Sequence, residues 1–277
     1  MKKFSLAAMA FFMLMIVPGP GFSIQQHELV ERMGKGSVNW TQGTIQAKGI
    51  GTPPEQYFGK PQARPMALRA AQLDAMRNLL EVVQGVRINS STVVRNSMVQ
   101  DDEIRSNVEG MVKGAQIVKE EYLADGTFEI IMQMSLNGGF AQLVMPPEIM
   151  QVAPVKPVPP QPASHVFTGM VVDARGLRAQ PAMAPKILDE NGREVYGSAT
   201  VSREFAVQEG MSGYATDLTS ALSNPRVSNN PLTVRGLRAV GPGRSDIVIS
   251  ASDASQLRSA SENLSFLKQC RVMIVVD

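Results

Sequence analysis

Seven prolines crowd into the stretch from Met145 to Ala163: Pro146, Pro147, Pro154, Pro157, Pro159, Pro160 and Pro162. Each removes an amide donor and fixes φ, so neither a helix nor a central strand can run through. The stretch reads as a semi-rigid extended spacer. It divides the 277-residue chain into two halves that must each build their own elements. A proline-rich recognition ligand is the lesser reading of the same residues.

The amino terminus adds a second constraint. Lys2 and Lys3 precede an uncharged apolar run from Phe4 to Val17, then Pro18-Gly19-Pro20-Gly21. Gly21 and Ser23 bracket Phe22, a small-x-small pattern before Ile24. This is the layout of a cleaved secretory signal over residues 1–23. The run is shorter than the roughly 20 residues that span a bilayer, so no transmembrane helix is expected after cleavage. No cysteine follows it, so no N-terminal lipidation is expected either.

Cleavage also neutralises the chain. Of 27 basic and 25 acidic side chains, the signal takes Lys2 and Lys3 and no acid, leaving 25 of each. No net positive field remains to gather nucleic acid or anionic lipid. Cys270 is the sole cysteine, which rules out an intramolecular disulfide. At the head of Arg271–Val276 it reads as a small hydrophobe in a strand; an intermolecular disulfide is the minority reading.

Periodicity gives both halves an α+β character. Val38 to Ile50 suggests a strand or hairpin. Pro65 to Val83 predicts a helix with Leu68, Ala71, Ala75, Leu79 and Val82 on one stripe, stopped at Gly85. Ala70, Ala71 and Ala75 would let that helix approach a sheet closely. Val86 to Val94 reads as a strand from its β-branched content. Asp101-Asp102-Glu103 opens a short helix through Met111. Ala115–Leu123 and Thr127–Leu136 form a hairpin around Asp125-Gly126. In the second half, strands are expected at 166–172, 232–238, 246–250 and 271–276, with a hairpin at 187–196 around Glu190-Asn191-Gly192. Helices are expected at 214–222 and at 252–267, the latter capped by Ser252. The predicted fold class is α+β: two small helix-on-antiparallel-sheet domains joined by the Pro-rich linker. Their bounds are 24–144 and 165–277, with the linker at 145–164.

The chemistry-bearing residues are sparse. His27 and His165 lie in no motif, which leaves no triad histidine and no His/Cys cluster for zinc. Glu120 and Glu121 are adjacent on a strand and point to opposite faces. The glycine pieces Gly34-Lys35-Gly36-Ser37, Gly49-Ile50-Gly51 and Gly241-Pro242-Gly243-Arg244 lack P-loop spacing and read as loops. One exact internal match stands out: Arg-Gly-Leu-Arg-Ala occurs at 175–179 and again at 235–239. Coincidence is one reading; a pair of equivalent arginine-bearing strand ends forming a docking surface is the other. The candidate interaction residues are therefore Arg175, Arg178, Arg235 and Arg238, with Trp40. No catalytic residue, cofactor or metal is expected.

The stretch Ala67-Leu68-Arg69-Ala70-Ala71-Gln72-Leu73-Asp74-Ala75-Met76-Arg77-Asn78-Leu79-Leu80-Glu81 resembles the signature helix of the LPP20-like lipoprotein family. The match continues through Gly85-Val86-Arg87-Ile88, Thr92-Val93-Val94, Asp101-Asp102, Val108-Glu109-Gly110, Gly114-Ala115 and Asp125-Gly126-Thr127, covering roughly residues 45–137. The resemblance implies a small α+β domain, residence in the periplasm or at the outer membrane, and no catalysis. Relatives of this domain resemble the N-terminal domain of flagellar assembly proteins that build rings around the motor. Many members carry a lipidated N-terminal cysteine, and this chain departs from them there. The C-terminal half looks like the second domain of larger members.

Together these features predict a non-catalytic exported envelope protein in the periplasm, peripheral to the outer membrane. It would act through contacts with envelope proteins, self-association included, in an envelope or flagella-associated assembly. The alternative is a periplasmic small-ligand or glycan-binding module, with a concave pocket using Trp40, Arg175 and Arg235. An enzyme working with carboxylates alone is the third reading.

Overall fold

The computed structural model describes residues 28–147, 149, 167–259 and 261–277. The expected export signal, most of the Pro-rich linker, His27 and His165 lie outside the described residues. No helix among them is long and apolar enough to cross a membrane.

The first half is an antiparallel sheet carrying one long helix. Its elements are β1 (Val30–Met33), β2 (Gly36–Asn39), β3 (Thr44–Gly51), α1 (Ala63–Gly85), α2 (Val94–Gln100), α3 (Asp102–Lys113), β4 (Gln116–Tyr122), β5 (Phe128–Ser135) and α4 (Gly139–Val144). The strand order is β1-β2-β3-β5-β4. Helix α1 buries Ala67, Ala71, Ala75, Leu79 and Val82 against β3 and β5, with Pro65 in its first turn, where a missing amide costs nothing. A Cβ on Gly49 would lie 2.2 Å from the Ala71 carbonyl oxygen, and one on Gly51 would lie 2.2 Å from that of Ala67. These two glycines are strand residues that admit the helix backbone, not the loop read from their spacing. Asp101 caps α3: its Oδ1 accepts from the amides of Glu103 at 2.8 Å and Ile104 at 3.1 Å.

Residues 86–93 correct the strand expected there. Apart from one bridge between Arg87 and Val93, they form a loop. Their β-branched content suits an extended backbone, but beside local bonds such as Ile88 N to the Thr92 carbonyl, three of the carbonyls are taken by the second half. The amides of Met183 and Ala184 donate to the carbonyls of Arg87 (3.0 Å) and Ile88 (2.7 Å), and that of Gly243 donates to Ser90 (2.5 Å).

The second half holds β6 (Gly169–Asp173), β7 (Ile187–Leu188), β8 (Glu194–Tyr196), α5 (Arg203–Glu209), β9 (Gly213–Ala215), α6 (Leu218–Leu222), β10 (Pro231–Val240), β11 (Asp246–Ile249), α7 (Ala251–Arg258), α8 (Ser261–Lys268) and β12 (Val272–Val275). The order is β8-β7-β11-β10-β6-β12-β9. The α+β class holds, but this sheet is mixed rather than wholly antiparallel. β10, β6, β12 and β9 run parallel to their neighbours in that group, and β7 runs parallel to β11. Helical crossovers carry the chain between them, the connection parallel strands require. The unbroken apolar runs of β6 and β12 reflect burial on both faces: Met170, Val172 and Ile274 join the main core, while Val171, Met273 and Val275 pack with α6 residue Ala221.

Two helix expectations are also revised. Tyr214 belongs to β9, and only Leu218–Leu222 is helical, capped by Asp217, which accepts from Ser220 N at 2.7 Å. The helix expected at 252–267 is two helices, and its cap is Ser250, whose Oγ accepts from Asp253 N at 3.0 Å.

One hydrophobic core runs through both halves, from Trp40, Ala71 and Phe128 to Ile187, Tyr214 and Ile274. The two sheets are thus joined by packing as well as by the chain.

Candidate functional site

The four parallel strands point their carboxyl ends to one edge of the second sheet, where open α/β sheets build their clefts. The two Arg-Gly-Leu-Arg-Ala copies meet there. Register places Arg235 of β10 opposite Asp173, the last residue of β6. Arg175, two residues on, clamps the same carboxylate in a fork: Nε donates to Oδ1 at 2.8 Å and Nη2 to Oδ2 at 2.7 Å. The Arg175 hydrogen bonds hold the Asp173 carboxyl below its ordinary value, against partial burial, with a smaller pull from Arg235. Reciprocally, Asp173 raises the Arg175 guanidinium.

The loop after β6 folds back onto β10. Gly176 turns at φ +77 and its amide donates to Asp277 Oδ2 at 2.7 Å. Leu177 settles over Gly236, where an added Cβ would meet its Cδ1 at 2.8 Å. Arg178 adopts φ +53, strained for a side chain-bearing residue. Arg244 latches the loop, donating from Nη2 to the Leu177 carbonyl at 2.5 Å and from Nε to that of Arg178 at 3.2 Å. Arg175, Arg178, Arg235 and Arg238 are all exposed. Leu237, flanked along β10 by Arg235 and Arg238, is 45% exposed.

Trp40 lies elsewhere. It is buried at the seam between the halves, edge-on to Tyr214 with centroids 5.8 Å apart. Its Nε1 donates to Glu31 Oε2 at 2.9 Å, and the same oxygen pairs with Arg87, whose guanidinium stands 6.0 Å from the Trp40 ring. Arg87 Nε also donates to the Pro181 carbonyl at 2.8 Å. A cavity of about 210 Å³ opens beside it, lined by Trp40, Asn137, Glu209, Ser212, Tyr214 and Arg226 among others, and by neither Arg175 nor Arg235. The structure therefore separates the tryptophan from the arginines that the ligand reading grouped with it.

The cavity walls are largely committed. Tyr214 Oη donates to the Ala182 carbonyl at 2.8 Å and accepts from its amide at 3.0 Å; burial pushes this phenol up to about 12. Arg226 spends its guanidinium on the carbonyls of Gly210, Cys270 and Glu209. Ser212 Oγ is the exception, buried without a hydrogen-bond partner among the described residues.

Two polar anchors escaped the sequence reading. Asp189 is fully buried and takes an ion pair from Arg193 at 2.8 Å and another from Arg258 at 3.2 Å. Ser90 Oγ donates to Asp246 Oδ2 at 2.6 Å, tying the 86–93 loop to the second sheet. Neither belongs to a recognisable motif; only the Asn-Gly turn after Asp189 hinted at local structure. Cys270 is buried, but it lies in a turn at φ +56, two residues before β12, rather than in the strand expected for it. Burial pushes its thiol up to about 11, an environment that suppresses the reactive thiolate.

No curated protein matches the chain. Residues 169–277, which begin at the first residue of β6 and contain the whole mixed sheet, match the family model for the second domain of Treponema pallidum Tp0624.

Proposed function

We propose that this chain is an exported, non-catalytic protein of the bacterial envelope that works by holding other envelope proteins through the strand-end arginine surface. One observation carries the reading: the first Arg-Gly-Leu-Arg copy forms the turn just past the end of β6 and the second lies on the neighbouring parallel strand β10, with Arg235 opposite Asp173 and Leu237 exposed between Arg235 and Arg238. Arginine is enriched at protein interfaces, where its planar fork pairs with carboxylates while its stem packs on apolar groups. The partner surface would present carboxylates around an apolar residue. The signal-like segment at 1–23 and the resemblance of residues 45–137 to the LPP20-like family support residence in the periplasm, peripheral to the outer membrane. The same resemblance motivates a place in an envelope or flagella-associated assembly.

The test is crosslinking in intact envelopes followed by recovery of the chain. Arg235→Glu with Arg238→Glu should abolish the crosslinked species while the circular dichroism spectrum is kept. An unchanged crosslinking pattern contradicts the reading. A small-ligand module is the second reading. The unpartnered Ser212 hydroxyl in the cavity wall favours it. A ligand co-purifying with the chain and lost in Ser212→Val would support it over the first.

A further inference from the structure

We propose that β4 pairs edge to edge with β4 of a second copy of this chain, joining two five-stranded sheets into one. β4 is an outer strand of its sheet, and every one of its seven residues is exposed. Helix α1 packs on β3 and β5 and leaves it uncovered. Ile117, Val118 and Tyr122 are 39%, 48% and 45% exposed. Phe58, at 51%, stands beside Tyr122: a Cβ on Gly126 would meet Phe58 Cε1 at 3.5 Å and Tyr122 Oη at 3.8 Å. A free edge of this length offers a row of unpaired amides and carbonyls to another strand.

The charge pattern selects the occupant. A bulge lies between Ile117 and Lys119, after which Lys119 to Tyr122 pair regularly with β5. Lys119 and Glu121 share one face and form an ion pair at 3.1 Å within the strand. In an antiparallel pair, residues directly opposite share a face and interact. A two-fold axis perpendicular to the sheet keeps each residue on its own face, so it must centre on a residue. Centred on Glu120, it sets Lys119 of each copy opposite Glu121 of the other and brings Tyr122 against the bulged Val118. Centred on Lys119 or Glu121, it would oppose identical charges at the axis and gain no Lys–Glu pair. The Glu120 register gains two ion pairs against one like-charge contact at the axis. Because each copy supplies both members of the pair, the strand is complementary to itself.

The proposal uses a different element from the arginine surface and can fail without it. The test is sedimentation of the full chain over a concentration series, with circular dichroism confirming that each variant folds. Wild type should form a dimer. Lys119→Glu and Glu121→Lys should each weaken it about tenfold, since each turns two opposite-charge pairs into like-charge pairs. An equimolar mixture of the two variants should restore association, because every cross-strand pair is then complementary. Glu120→Gln should tighten the dimer by relieving the axial repulsion. A wild type that stays monomeric throughout, a dimer indifferent to both reversals, or a mixture that fails to associate overturns the proposal.

Discussion

Asp189 shows how a single buried carboxylate is kept charged. Burial alone would raise its pKa. Against that, the backbone and side chain of Arg193 donate at 3.0 and 2.8 Å, Arg258 at 3.2 Å and the Asn191 amide at 3.0 Å, and together they hold it below 3.8. A folded-state value below the unfolded one contributes stability above the unfolded pKa, and the contribution is lost as pH falls through the folded value. Asp189→Asn should therefore lower the urea midpoint at neutral pH, and its deficit should shrink as pH falls below 3.8. A deficit independent of pH would contradict this account. The site was invisible in the sequence because Arg258 is remote in the chain and only the fold brings it there. The repeated arginines were legible as a pair, since both copies follow strand-like runs. That they flank one aspartate followed only from the parallel register of β6 and β10.

At the scale of elements, the closest packing in the first half is β3 against α1. The alanine stripe announced a close helix–sheet approach; the matching glycines were misread because strand glycines and loop glycines look alike without the partner. Gly49→Ala would press a Cβ to 2.3 Å from Ala75 N as well as onto Ala71 O, and should cost about 3 kcal/mol in chemical denaturation. Gly110, exposed within α3 with nothing within 4 Å of an added Cβ, should gain about 1 kcal/mol on change to alanine. Equal effects at the two sites would refute the close-approach argument. The long helix, the helix opened by Asp101-Asp102-Glu103 and the β4–β5 hairpin were legible because their signals are local. The 86–93 loop was not, since the donors to its Arg87, Ile88 and Ser90 carbonyls lie beyond residue 180. The break between α7 and α8 left no mark either, because their apolar positions continue one stripe across it.

At the scale of the molecule, a shared core and a polar seam join the halves. Trp40, Arg87 and Ser90 from the first meet Tyr214, Pro181 and Asp246 from the second. The sole tryptophan lies in that seam and reports on it. Its fluorescence and the far-ultraviolet circular dichroism should lose native signal in one coincident urea transition; two separated transitions would mean the halves unfold independently. The proline-rich stretch suggested two modules set apart, and nothing in it could reveal how the flanking sheets pack. The claim on which the functional reading rests is that the arginine-bearing strand ends beside Leu237 meet another protein in the envelope. A photo-crosslinking amino acid placed at Leu237, with a control at Val99, which is 71% exposed on α2, tests it in living cells. The account predicts a discrete crosslinked partner from position 237 and none from position 99. The same faint background from both positions would contradict it.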